Sequence, residues 1–280
     1  MPEGDSIAVA LASGSKLLAA LQTGRRDAEL LLMYAIGCDR AYLLTHSETK
    51  LTSEQSALFQ SWIERRAGNE PVQYIIGEQE FYGLKFRVTR DVLIPRPETE
   101  HLVEAALGLV QRKRKLRIAD VGTGSGAIAV ALAHGLPSSR LTALDISPAA
   151  LAVAQSNAER HGVTERIEFV ESDLLGAVMG RFDLIVSNPP YVADGESLEP
   201  QVRDFEPKLA LYAGRDGLAI YRRLIPQALE ALKPGGWLLM EIGHGQRDTL
   251  LEMLSGWCDV SFRNDLQGIP RVVCARKSSR

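Results

Sequence analysis

Two hydrophobic rhythms divide the chain. Apolar residues recur at helical spacing near the start, at Ile7, Ala10, Leu11, Leu17, Leu18 and Leu21, and again at Ala28, Leu31, Leu32, Ala35 and Ile36. Thr23 or Asp27 is placed to cap the second of these helices, and Gly37 to stop it. Thr52-Ser53-Glu54-Gln55 has the form of a capping box for a third helix, which runs through Arg65-Arg66-Ala67 and ends at Gly68-Asn69. Residues 74–95 are aromatic and β-branched with glycine punctuation, which predicts a β-hairpin connector. Pro97, followed by acidic residues, predicts a new helix start.

From residue 117 the rhythm changes to strands alternating with helices. The expected strands are Arg117–Val121, Leu141–Asp145, Ile167–Val170, Phe182–Ser187 and Gly236–Ile242, with Val260–Arg263 and Arg271–Arg276 as a closing antiparallel pair. The helices between them are expected at Ala127–His134, Pro148–His161, Leu218–Leu232 and Gln246–Leu254. Such alternation predicts an α/β fold with a doubly wound, mostly parallel sheet and ligands at the carboxyl ends of its strands. The domain reading is therefore a helical bundle over 1–73, a hairpin linker over 74–95 and a sheet domain over 96–280.

Composition narrows the classes. The chain has 280 residues, 45% hydrophobic and 24% charged, enough to bury a core and unlike a disordered chain. Its net charge is -3; residues 1–90 hold 10 Lys+Arg against 11 Asp+Glu, and the remainder 22 against 24. Neither part has the basic excess of a domain that lives on phosphate backbones, so no nucleic-acid partner is expected. The cluster Arg112-Lys113-Arg114-Lys115 reads as a solvated helix end. No uninterrupted apolar run is long enough to span a membrane, and the start Met1-Pro2-Glu3-Gly4-Asp5 has no basic n-region. Cys38, Cys258 and Cys274 are scattered, which indicates neither a disulfide framework nor a zinc site. A cytoplasmic, metal-free monomer is the expectation.

Three signals lie at the ends of successive expected strands. Asp120-Val121-Gly122-Thr123-Gly124-Ser125-Gly126 turns from a strand into a helix whose first N–H groups are free. Its spacing is GxGxG, with an acid two residues before the first glycine, where a dinucleotide fingerprint would read GxGxxG. This form resembles the S-adenosylmethionine loop of class I methyltransferases, and the likeness implies that Asp120 bonds near the methionine amino group. Asp145, followed by Ile146, ends the second strand, where a carboxylate can accept both ribose hydroxyls. Ser147 is the better cap for the helix opening at Pro148. By the same analogy Asp173 accepts from the adenine amine and Leu174 packs on the adenine edge.

Asn188-Pro189-Pro190-Tyr191 follows the strand Phe182–Ser187 directly. The tetrapeptide resembles that of methyltransferases acting on planar nitrogen, whose two N–H donors need two acceptors. The Asn188 side-chain oxygen is one and the Pro189 carbonyl the other, since prolines break regular pairing and leave carbonyls free. Tyr191 supplies a flat wall. In-line transfer needs alignment more than a base, which agrees with five dispersed histidines.

The choice of nitrogen rests on longer segments. Pro71–Glu78, Glu80–Gly83, Val92–Glu100, Phe205-Glu206-Pro207, Gly214–Leu218, Glu241-Ile242-Gly243 and Asp265–Arg271 closely resemble the HemK/PrmC family, the N5-glutamine methyltransferases of peptide chain release factors. The resemblance implies a class I, Rossmann-like methyltransferase with a seven-stranded sheet, S-adenosyl-L-methionine as cofactor, and a class 1 release factor as partner. Its substrate would be the glutamine of the Gly-Gly-Gln motif, with the N-terminal bundle as docking domain. Leu174 stands where some members carry an aromatic. The alternatives are a ribosomal protein glutamine or a nucleic-acid exocyclic amine as acceptor; the acidic balance argues against the latter.

Overall fold

The computed structural model describes residues 4–110 and 115–279; the basic cluster at 112–114 and the first three residues lie outside these. Chain contacts divide the protein into two units, residues 1–77 with 199–205, and residues 78–198 with 206–280.

The first unit contains α1 (Ile7–Leu17), α2 (Gly24–Ile36), α3 (Arg40–Thr45), α4 (Ser53–Ala67) and α5 (Val72–Ile76). Its core gathers Ile7, Leu18, Leu31, Leu32, Phe59 and Ile63, the positions the helical spacing selects. The capping box is present at Thr52 and Gln55, and Gly37 closes α2 with φ 77°. Asp27 does not cap α2. It is buried, accepts from Thr23 Oγ1 at 2.7 Å and from Arg66 Nε at 2.7 Å, and so joins α2 to α4. Tyr74–Ile76 are helical where a strand was expected. Pro71 fixes the entry, Val72 and Ile75 bury into the helical core, and Gly77 ends the turn with φ 76°. Burial here outweighs β propensity.

The second unit opens with the hairpin β1 (Glu78–Phe81) and β2 (Leu84–Arg87), paired antiparallel. The hairpin is therefore shorter than 74–95, and it is not a separate linker: Phe81 and Phe86 sit in the sheet domain's core. After a 3-10 turn at Pro97–Thr99 come α6 (Glu100–Leu109), β3 (Arg117–Val121), α7 (Ala127–Gly135), β4 (Arg140–Asp145), α8 (Pro148–Arg160), β5 (Ile167–Glu171) and β6 (Phe182–Ser187). Next are α9 (Pro200–Phe205), which groups with the first unit, then α10 (Ala219–Ala231), β7 (Leu232–Glu241), α11 (Arg247–Met253), β8 (Cys258–Asn264) and β9 (Pro270–Arg276).

The seven-stranded sheet has the order β5-β4-β3-β6-β7-β9-β8. β5 to β7 are parallel, and β9 is antiparallel to both its neighbours. β7 starts at Leu232, before the expected Gly236. Phe182 pairs with Leu232 but Leu184 with Trp237, so the extra residues around Pro234-Gly235 form a bulge. Strand order reverses between β3 and β6, which makes the carboxyl ends of these two strands the topological switch point where such sheets bind ligands. Among the described residues no helix is long and apolar enough to cross a membrane, and the three cysteines are free thiols.

Candidate active site

A cavity of about 310 Å³ opens at the switch point. Gly122, Thr123, Gly124 and Ser125 line one side, Asp145, Ile146, Asp173 and Leu174 the next, and Thr99, Asn188 and Pro190 another. The structure thus brings together most of the residues selected from the sequence, on loops after β3, β4, β5 and β6.

The loop after β3 is held from beneath. Gly122, Gly124 and Gly126 have φ of 72°, 55° and 78°, which bars most side chains. At Gly126 a Cβ would also lie 3.0 Å from the Ala154 Cβ, so the glycine lets α7 and α8 approach closely. Asn157 of α8 is fully buried and donates to the Ser125 carbonyl at 2.8 Å; with Arg87 of β2 it exchanges bonds of 2.7 and 3.0 Å. Helix, hairpin and loop are locked by one amide.

Asp120 is fully buried on β3. Its Oδ2 accepts from Thr123 Oγ1 at 2.6 Å and from the Ala129 N–H at 3.1 Å, while Oδ1 has no partner. Burial is the main force on this carboxyl, pushing it up to about 7 against the pull of the two bonds. A buried, unpartnered carboxylate oxygen beneath an open glycine loop fits a ligand that brings a cation. A pyrophosphate, already negative, has no use for it.

Asp145 accepts from Gly124 N–H through Oδ2 and from Ser147 N–H through Oδ1, each at 2.9 Å. Burial raises its pKa, and the backbone bonds oppose this. Each oxygen keeps a lone pair, so a pair of ribose hydroxyls remains acceptable. Ser147 caps α8 at the Ala150 N–H, 3.2 Å away. Ile146 is half exposed, an apolar side chain on the cavity wall and a fit for a flat heterocycle. Asp173 also lines the cavity, but its Oδ2 is engaged by Arg223 at 2.5 Å. Leu174 adopts φ 54°, strained for a residue with a Cβ, and packs against the sheet's second core.

At the end of β6 the picture differs from expectation in one respect. Asn188 and Pro190 line the cavity, whereas Pro189 and Tyr191 do not. Tyr191 is turned toward the buried Glu241, with its hydroxyl 3.5 Å from Oε1. Burial drives its pKa well above the ordinary value, so the phenol stays protonated. Gln246 Nε2 holds the Tyr191 carbonyl at 3.1 Å. Asn188 Nδ2 donates to Thr99 Oγ1 at 3.0 Å, and Thr99 donates in turn to Glu241 Oε2 at 2.6 Å.

Two cations border the cavity, Arg223 and Arg96, the latter paired with buried Glu206. Glu206 also accepts from the Ile94 N–H at 3.2 Å. Thr99, Arg96, Glu206 and Glu241 had no assigned roles from the sequence, although all fall in the segments that carry the family resemblance.

Comparison with known proteins agrees with this geometry. Residues 9–77 match the family described as PrmC N-terminal domain, and residues 100–205 the methyltransferase small domain. The release factor glutamine methyltransferase of Koribacter versatilis is 52% identical over 90% of this chain and 91% of its own. That of Geobacter sulfurreducens is 47% identical over 91% and 90%. The chain belongs to the release factor glutamine methyltransferase family. Among solved structures, a ribosomal protein L11 methylase from Lactobacillus delbrueckii is similar with a TM-score of 0.50 and 25% identity, over 65% of this chain and 80% of that one. A methyltransferase from Pyrococcus furiosus aligns with a TM-score of 0.52 at 17% identity, over 78% and 98%, which supports the class I fold. The family's first domain ends at Gly77, where the contact division also falls. Family membership makes the protein an S-adenosylmethionine-dependent methyltransferase; Asp120 lies beneath the glycine loop and does not itself line the cavity.

Asp145→Ala should weaken binding of S-adenosylhomocysteine by about 10- to 100-fold, since a charged hydrogen bond contributes about 1.5–3 kcal/mol. Part of that loss comes through the freed Gly124 N–H. Calorimetric titration measures it, and unchanged affinity would remove Asp145 from the site.

Proposed function

We propose that the chain transfers the methyl group of S-adenosyl-L-methionine to N5 of the glutamine in the Gly-Gly-Gln motif of class 1 peptide chain release factors. The observation that carries this reading is the anchored Asn188 amide. Its NH2 end is tied to Thr99, so its carbonyl end is free to accept an N–H from a planar substrate nitrogen at the cavity. An amide nitrogen has a delocalised lone pair and is a poor nucleophile. Held by Asn188 Oδ1, it presents its lone-pair face to the cofactor side of the cavity.

The cofactor supplies an activated methyl on a sulfonium, whose positive charge disperses as the methyl leaves. Asp120 takes the amino group of its methionine part, Asp145 the ribose hydroxyls, and Ile146 with Leu174 the adenine faces. Asp173, shared with Arg223, borders the adenine amine. Gly122 to Gly126 leave room for the chain between them. No base within the site is required, because the acceptor nitrogen sheds its proton to water after transfer. Alignment of reacting atoms can contribute about 7–11 kcal/mol, and the residues described here act by alignment.

The helical first unit docks a second face of the release factor, since a single loop gives far less than the roughly 1,200–2,000 Å² that stable interfaces bury. The enzyme then works as a cytoplasmic monomer beside the translation machinery. The test is transfer of labelled methyl from the cofactor to a purified release factor, to its glutamine-to-alanine version, to a short Gly-Gly-Gln peptide and to bulk RNA. Label should enter the intact factor alone at high efficiency, and the peptide poorly. Label in the alanine version or in RNA would overturn the glutamine assignment; equal efficiency on peptide and factor would overturn the docking role.

A further inference from the structure

The hydroxyl of Thr99 has one proton and two lone pairs. It is buried, as is Glu241, and the bond between them is the shorter of its two, 2.6 Å against 3.0 Å to Asn188. An ionised carboxylate only accepts. The Thr99 proton is therefore committed to Glu241, and only lone pairs face Asn188. An amide flipped by half a turn would set its oxygen against those lone pairs and would present N–H donors to the substrate, whose nitrogen also carries N–H donors.

Glu241 is itself fixed. It ends β7 opposite Val272 of β9, its main-chain carbonyl accepts from Tyr221 Oη at 2.8 Å, and its second carboxylate oxygen faces the Tyr191 hydroxyl. Thr99 is set by the turn behind Pro97, its N–H bonded to the Arg96 carbonyl at 3.1 Å.

We propose that Thr99 and Glu241 are positioning residues that fix the direction of the Asn188 amide, so that while Glu241 is ionised an acceptor oxygen points at the substrate nitrogen. This rests on the reading that Asn188 holds the acceptor. It gives a role to a buried carboxylate whose side-chain bonds are to the Thr99 and Tyr191 hydroxyls. The charged and titratable groups around it are Glu98 from the 97–99 turn, Tyr191 from the loop after β6, Tyr221 from α10 and Arg271 from β9. Burial, chiefly, raises Glu241 to about 7. Once protonated, Glu241 can donate to Thr99, which frees the Thr99 proton to hold the flipped amide.

The experiment is single-turnover transfer to a release factor at saturating cofactor for Thr99→Val, Thr99→Ser, Glu241→Gln and Asn188→Ala. Thr99→Val, an isostere without the relay, should lose about 100-fold in rate, the scale of a lost orienting contact, with S-adenosylhomocysteine affinity near wild type. Thr99→Ser should recover most of the rate. In the wild type the rate should fall as pH drops through about 7, and Glu241→Gln, which cannot titrate, should lose that fall. A Thr99→Val rate near wild type beside an impaired Asn188→Ala, or a Glu241→Gln profile that tracks the wild type, overturns the relay. If Asn188→Ala itself transfers at the wild-type rate, the underlying reading of Asn188 fails instead.

Discussion

Asp120→Asn should stabilise the free protein at pH 8 and weaken its hold on the cofactor. The carboxyl is buried with one oxygen satisfied by Thr123 and Ala129 and the other unpartnered. Its pKa is raised from 3.8 to about 7. The sign follows from proton counts. Below the unfolded value both states hold the proton and no cost arises. Between pH 3.8 and about 7 the folded state keeps a proton that the unfolded state releases, so stability falls as pH rises, and above that window the whole cost is present. Asparagine cannot ionise. Its oxygen can take the place of Oδ2, so both existing bonds survive. The melting temperature of the variant should therefore gain on the wild type across pH 4 to 8, a comparison in which every other titrating group cancels. The same change puts an NH2 where a cationic amino group is expected. Loss of one charge-assisted bond costs about 1.5–3 kcal/mol, or roughly 10- to 100-fold in S-adenosylhomocysteine affinity. Unchanged affinity would show that the unpartnered oxygen has no ligand. A melting difference that does not vary with pH would show that Asp120 is not raised.

The parts of the protein that could be read from its sequence are those whose signal is local. β3, β4, β6 and the second half of β7 are mostly apolar and buried because helices cover both faces of these inner strands. The loop from Gly122 to Gly126 is legible because its glycines occupy φ values that other residues avoid. Asn188 is legible because two prolines follow it. What was not legible depends on pairs far apart in the chain. Thr99 and Asn188 are 89 residues apart, Thr99 and Glu241 142 apart, and Asp173 and Arg223 50 apart. Thr99, Glu241 and Arg223 alone read as ordinary turn, strand and helix residues. Only the crossover that sets β6 beside β3 and β7 beside β6 brings them together. Asp27 is a similar case: its position suggests a cap, and only the packing of α4 reveals Arg66 as its partner. Tyr191 shows the limit of motif reading. The residue type was legible, but its direction, toward Glu241 and away from the cavity lining, is set by a strand 50 residues later.

Asn188→Ala should have the largest effect on catalysis. The side chain lies on the cavity, half-buried, and its bond to Thr99 uses the NH2 end, which leaves the oxygen for the proposed acceptor role. Its removal deprives the substrate nitrogen of an acceptor and leaves water to take that place without holding a direction. Single-turnover transfer should fall by about 100-fold, as when one orienting contact is lost. The contacts proposed for the cofactor, at Asp120, Asp145 and the glycine loop, are untouched, so S-adenosylhomocysteine affinity should stay near wild type. Asn188→Asp sharpens the test. It keeps an oxygen acceptor but sets a second carboxylate beside the one proton of Thr99, already given to Glu241. One carboxyl must then take up a proton or the contact repels, so the variant should also be impaired near neutral pH, although an acceptor is nominally retained. If Asn188→Ala transfers methyl at the wild-type rate, the acceptor is held elsewhere. If Asn188→Asp matches the wild type across the neutral range, an oxygen at this position suffices and its fixed direction does not matter.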